Sequence, residues 1–208
     1  MNLFVTYLEI IGTISFAISG AITGIKKNMD IFGVCILGIT TSVGGGILRD
    51  IILGITPPSI FIDPTYVLVA IGISILCFLP FVRKFFSTNH RLYEISMLLF
   101  DSAGLGIFTV CGVEVAISSG YSDNVFLTIF IAVLTGVGGG VMRDIFAGDR
   151  PYIFIKHIYA CAALIGAIIC TLLWNILGHN LSMILGFISI FIIRLCAAKF
   201  HWSLPKAK

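Results

Sequence analysis

The chain has 208 residues, 58% of them hydrophobic and only 11% charged, with a formal net charge of +3. An ordinary soluble domain carries about 25% charged residues, so this composition excludes a water-solvated globule and requires lipid around much of the surface. The six cysteines sit singly in apolar runs without a CxxC or Cys/His cluster, which excludes zinc and thioredoxin-type chemistry.

A spanning helix needs roughly 20 apolar residues. Seven stretches qualify in chain order: Leu3–Ile25, Ile31–Leu53, Thr65–Val82, Leu92–Ile117, Val125–Ile145, Ile153–Leu177 and Leu181–Ala198. No basic stretch precedes the first run, so it reads as a retained helix rather than a cleaved signal. The breaks fall at Lys26-Lys27-Asn28, Pro57-Pro58, Arg83-Lys84 with Ser87-Thr88-Asn89, and Gly178-His179-Asn180. Seven spans put the termini on opposite sides. Of the 13 Lys and Arg residues, all except Arg49 then fall on the side of the C-terminus. The positive-inside bias predicts an outside N-terminus and a cytoplasmic C-terminus.

The chain also repeats itself. Val43-Gly44-Gly45-Gly46-Ile47-Leu48-Arg49-Asp50-Ile51 recurs as Val137-Gly138-Gly139-Gly140-Val141-Met142-Arg143-Asp144-Ile145, each followed by Gly and then Pro. Glu9, Gly12, Phe16 and Gly20 match Asp101, Gly104, Phe108 and Gly112, and Tyr66 and Gly72 match Tyr159 and Gly166 within one residue. Each copy holds three helices, so the second enters from the opposite side. The expected fold is all-α: one transmembrane domain over 1–208, with seven helices as two inverted repeats (about 1–86 and about 91–178) and a seventh helix at about 181–198. Inverted repeats are typical of transport proteins.

Three glycines in a row cost a helix roughly 1 kcal/mol each relative to alanine. Close helix packing is one use for them. The doubling, each time just before Arg-Asp, favours another: Gly44, Gly45, Gly46, Gly138, Gly139 and Gly140 are expected to break helices two and five beside a path. Successive helical residues point about 100° apart, so Arg49-Asp50 and Arg143-Asp144 are not expected to close as simple internal salt bridges. Each Arg would face the path and each Asp would tie to backbone or another helix. Interfacial snorkelling is the plainer role, and it suits Arg143 better than Arg49. Glu9 and Asp101 are intramembrane acids, which usually face a cavity or a partner. They are read either as structural partners of Arg143 or Arg49, across the pseudo-two-fold, or as direct aids to cation passage. Glu94 and Glu114 lie near helix ends and read as solvated, and the four histidines are likewise terminal and receive no relay role. Gly20 and Gly24 form a GxxxG, a weak packing or oligomerisation signal. Neither a phosphate loop nor a hydrolase motif is present, so no enzyme and no nucleic-acid partner are expected.

With its doubled Gly-Gly-Gly-x-x-Arg-Asp motif, the chain resembles the prokaryotic branch of the trimeric intracellular cation (TRIC) channel family, a branch that also carries a glycine-transporter-domain label. Phe16-Ala17-Ile18-Ser19-Gly20, Asp30-Ile31-Phe32-Gly33, Asp101-Ser102-Ala103-Gly104-Leu105, Tyr159-Ala160 and Leu204-Pro205 carry the resemblance further. It implies a homotrimer in the plasma (inner) membrane of a bacterium or archaeon, with one pore per subunit for K+ or Na+. Membrane lipid and monovalent cations are the implied partners, and neither a cofactor nor a metal is implied. The glycine triplets carry over as kink points, and Arg49 and Arg143, with Asp50 and Asp144, as pore or gate charges. Thr40, Thr41, Ser42 and Thr135 are the expected polar lining. The phosphoinositide site of the animal members has no matching lysine motif in the fourth helix. Residue chemistry alone fits a secondary transporter of a small zwitterion such as glycine equally well, and the resemblance favours the channel.

Overall fold

The computed structural model describes residues 3–83, 90–155 and 158–202. The expected break residues Lys84 and Ser87-Thr88-Asn89, together with Lys156, His157, Leu204-Pro205, Lys206 and Lys208, lie outside the described residues. Among the described residues every regular element is a helix: α1 (Leu3–Lys26), α2 (Ile31–Ile52), α3 (Ser59–Ile62), α4 (Thr65–Phe78), α5 (His90–Ala116), α6 (Val125–Phe146), α7 (Tyr152–Ile155), α8 (Ala160–Leu177) and α9 (His179–Lys199). Six of these are long and apolar enough to cross a membrane, and α4 is a shorter apolar helix. The protein is a polytopic all-α membrane protein. Large apolar side chains such as Phe126 (80% exposed) and Ile176 (72%) point outward, where only lipid makes them favourable.

Two expected spans are interrupted. The third, expected to run to Val82, stops at Phe78. Pro80 forces the preceding Leu79 into extended geometry (φ −52°, ψ 139°). The sixth divides into the short α7 and the longer α8. The fourth runs past Ala116 into a π-helical turn, Ile117–Tyr121, that is kinked at Gly120 with φ 92°. Asp30 and Asn124 start α2 and α6 by accepting the backbone N–H of Gly33 and Leu127.

α2 and α6 end alike. The N–H of Gly54 donates to Ile51 O and that of Ile55 to Asp50 O; Gly148 and Asp149 repeat this onto Ile145 and Asp144. Both glycines have φ 72°, the left-handed residue of a Schellman stop. Alanine at Gly54 or Gly148 meets no atom within 4 Å, so its cost is backbone strain alone. We expect each substitution to lower stability by about 1 kcal/mol, read from thermal unfolding in detergent.

The glycine triplets do not break their helices. The backbone remains helical through Gly44–Gly46 and Gly138–Gly140, and Gly44, Gly45, Gly138 and Gly139 lie where α2 and α6 touch. A methyl group at Gly45 would collide with the carbonyl oxygen of Thr135, and one at Gly139 with that of Thr41. Backbone contact this close requires glycine on both helices, and close approach returns what the triplets lose in helix propensity. Gly20 and Gly24 do the same for α1 against α2.

Candidate functional site

Among the described residues six buried charged side chains occupy the interior: Arg49, Asp50, Asp101, Arg143, Asp144 and Arg194. All except Arg194 follow the repeat. In each copy the Asp does join its sequence neighbour, contrary to the expectation for adjacent helical residues. Arg49 Nε donates to Asp50 Oδ1 at 2.8 Å, and Arg143 Nε to Asp144 Oδ1 at 2.9 Å. The long arginine side chain curls back along the helix, which the angle between Cβ vectors does not forbid. The other carboxylate oxygen holds the chain beyond the helix, as expected of a tie to backbone. Asp50 Oδ2 accepts the Ser59 N–H and Asp144 Oδ2 the Tyr152 N–H, both at 2.8 Å.

The acids of the first helix in each copy are matched too. Tyr66 donates its hydroxyl to Glu9 Oε2 at 2.6 Å, and Tyr159 lies 3.4 Å from Asp101 Oδ1. Here the copies part. Arg143 Nη1 donates to Asp101 Oδ1 at 2.5 Å and to Ser19 Oγ at 2.6 Å, and its guanidinium lies 5.1 Å from the Tyr152 ring centre. Its side chain is wholly buried. Glu9 makes no ion pair with Arg49 among the described residues. Between them opens a cavity of about 370 Å3 lined by Glu9, Thr13, Ser42, Gly46, Arg49, Asp50, Asp63, Tyr66, Phe108 and Glu114, with apolar walls. The anticipated acid–arginine contact thus forms within one copy, through Asp101 and Arg143, and not across the two.

Four carboxylates and one guanidinium line this cavity. Asp63 at its rim is exposed, and hydrogen bonds from the Thr65 hydroxyl and N–H hold its carboxyl below the usual range. Glu114, read from sequence as solvated, is half-buried in the lining. A second cavity, about 440 Å3, lies between Lys26, Lys27, Tyr93, Glu94, Met97, Asp149 and Tyr152. A Lys27–Asp149 ion pair of 2.5 Å crosses it.

The two cavities lie at opposite ends of α1. The first touches Val5, Glu9 and Thr13 and the second Lys26 and Lys27, so roughly 20 Å of helix separates Thr13 from Lys26. α5 runs the other way, with Tyr93 and Met97 in the second cavity and Phe108 and Glu114 in the first. In between stand the Phe16 and Phe108 rings, 5.3 Å apart, and then the Arg143–Asp101–Ser19 cluster. Phe16 is buried against Gly104 and Gly139 and Phe108 sits over Gly12, so the ring pair is held by glycines of facing helices.

Of the four hydroxyl residues expected to line a path, only Ser42 reaches the first cavity. Thr40, Thr41 and Thr135 turn back to carbonyls of their own helices, at Ile36, Leu37 and Ile131. Gly46 is the sole triplet glycine in the lining. Arg194 escaped the sequence reading as a site residue. It enters from α9, 3.6 Å from Asp101 Oδ2 and 4.8 Å from the Tyr159 ring centre.

A family model described as glycine transporter matches residues 6–81 and 98–175, once over each copy. The UPF0126 inner membrane protein YadS of Escherichia coli K12 is 36% identical over 205 residues, 98% of this chain and 96% of the relative. The UPF0126 membrane protein YvgT of Bacillus subtilis is 34% identical over 198 residues, 95% and 94% of the two. Among solved structures, a prokaryotic TRIC channel crystallised in 0.5 M KCl superposes with a TM-score of 0.88 at 36% identity, covering 98% of this chain and all of that one. The TRIC orthologue of Rhodobacter sphaeroides gives 0.85 at 32%, covering 95% and 98%. Both family descriptions are of transport proteins, not enzymes. This chain belongs to the family that the glycine-transporter model describes and that includes prokaryotic TRIC channels of solved structure.

Proposed function

We propose that the protein is a channel for monovalent cations, K+ and Na+, working as a homotrimer with one path in each subunit of a bacterial or archaeal inner membrane. The N-terminus lies outside and the C-terminus in the cytoplasm, and the two helix triplets are inverted copies. The path enters through the carboxylate-lined cavity beside Arg49, passes the Phe16–Phe108 rings and the Arg143 cluster, and leaves through the cavity at Lys26 and Lys27. The glycine triplets act by bringing α2 and α6 together. Arg49 and Arg143 are the gate charges, each tethered by the Asp that follows it.

The observation that carries this reading is the difference between the copies. Arg143 grips Asp101 and no cavity separates them, whereas Arg49 stands apart from Glu9 with a cavity between. The path is open at the Arg49 cavity and shut where Arg143 and Asp101 meet. Carboxylates at the open end concentrate cations by their field in a low-dielectric cleft, which supports cation over anion passage. Unbroken helices support a fixed, gated path more than alternating access through unwound segments.

Purified protein in proteoliposomes tests the reading. K+ flux under an imposed potential is expected, without saturable uptake of labelled glycine. The variant Glu9→Gln removes one of the carboxylates facing the cavity and is expected to lower K+ flux about threefold or more at low salt, less at high salt. Saturable glycine uptake without ion conductance would replace the channel with a zwitterion carrier, using Arg49 and Glu9 as carboxylate and ammonium ligands.

A further inference from the structure

Opening at Arg143 poses an electrostatic problem that the first copy does not have. Arg143 must leave Asp101, and Asp101 is wholly buried beneath α9. A buried carboxylate stripped of its counter-ion is strongly unfavourable. Glu9 tolerates the loss of Arg49 because it faces a cavity and keeps the Tyr66 hydroxyl. Tyr159 supplies the matching hydroxyl to Asp101 only at 3.4 Å, a weak bond.

The unused hydrogen-bonding capacity lies on the same side. Asp101 Oδ2 and Arg194 Nε are both buried and have no hydrogen-bond partner among the described residues. The two side chains meet across a gap: Arg194 Nη2 is 3.6 Å from Asp101 Oδ2, an ion pair by distance but too long for a hydrogen bond. Arg194 is therefore placed beside the oxygen that Arg143 leaves free. It reaches there from α9, the one long helix without a counterpart in the first copy.

We propose, on the basis of the gate reading of Arg143, that Arg194 is a reserve counter-ion: when Arg143 swings away, Arg194 closes onto Asp101 and keeps that carboxylate paired in the open state. Arg143 and Arg194 thus exchange one acid. The seventh helix is not only a packing element; it stabilises the open arrangement of the second copy. Arg194 is a positioning residue, acting on the path through Asp101.

Single-channel recording of the reconstituted full-length protein decides this, because it separates open probability from unitary conductance. In Arg194→Gln the open probability is expected to fall about tenfold or more with unitary conductance retained. Arg194→Lys keeps the charge and is expected to open within about threefold of the parent. A Gln variant that opens like the parent, or a Lys variant as impaired as Gln, overturns the proposal. If the Gln protein does not assemble, the Lys protein decides alone, and a tenfold loss in it (about 1.4 kcal/mol) overturns the proposal. Arg143→Gln distinguishes the two levels. It is expected to raise open probability, since Asp101 then belongs to Arg194. No change there sinks the gate reading itself, whereas a rise there with an indifferent Arg194→Gln sinks only the reserve role.

Discussion

Alanine at Gly45 or Gly139 is expected to destabilise the protein by about 3 kcal/mol or more, the upper range for overpacking a core. At both positions the added methyl would strike a backbone carbonyl of the facing helix, Thr135 O or Thr41 O, and not the movable end of a side chain. Relief requires the axes of α2 and α6 to separate, and their contact holds the two triplets together. Gly46 provides the internal control. Its nearest neighbour is Arg49 Nη2 at 3.8 Å, because it faces the cavity. Gly72 is a second control, with nothing within 4 Å. Thermal unfolding in detergent, followed by size-exclusion chromatography, should show low midpoints and poor recovery for Gly45→Ala and Gly139→Ala only. A midpoint within about 2 °C of the parent for either would mean that the interface yields, since 1 kcal/mol moves a chain of this size by about 2–4 °C. Leucine at these positions is expected not to fold at all, so it cannot separate a blocked path from a lost structure.

Hydropathy and the repeat carried much of this architecture into view. Apolar run lengths locate most of the long helices to within a few residues, although α8 begins at Ala160 and not at the expected Ile153, and the register of the repeat makes Glu9 equivalent to Asp101 and Tyr66 to Tyr159. The spatial consequence of the glycine triplets was not legible. Three glycines weaken a helix in isolation, and only the partner helix supplies the close contact that keeps it whole. The Arg-Asp tether was missed because Cβ directions ignore the reach of an arginine side chain. Arg194 enters the sequence reading only as one of the charges on the side of the C-terminus. Its spacing did hold a signal: Met183, Gly186, Ile190, Arg194 and Ala197 share one helical face, and all are buried. A charge on the apolar stripe of a spanning helix seeks an interior partner. Glu114 lies near the end of its helix but, three residues before a π-helical turn, faces the cavity, where helix-end position alone predicted solvent.

Removing the acids one at a time should expose the asymmetry of the two copies as a difference in stability. Asp101→Ala is expected to cost about 3–5 kcal/mol, the range for breaking a buried ion pair. It deprives Arg143 of one carboxylate and Arg194 of its ion pair, and the Tyr159 hydroxyl loses an acceptor. Asp144 still holds Arg143, so part of the cluster survives. Glu9→Ala removes one hydrogen bond from Tyr66 beside a cavity that water can enter, and is expected to cost about 1 kcal/mol. Thermal midpoints measured side by side give the comparison, and equal losses would mean that the two acids are equally relied upon despite their surroundings. The same inequality bears on function. Two otherwise matched motifs differ in the strength with which arginine and acid hold each other, so a stimulus acting on both would release the weaker one first. The Arg49 side is already apart, so on the gate reading proposed above opening turns on the Arg143–Asp101 bond and on Arg194 as the cation that replaces Arg143.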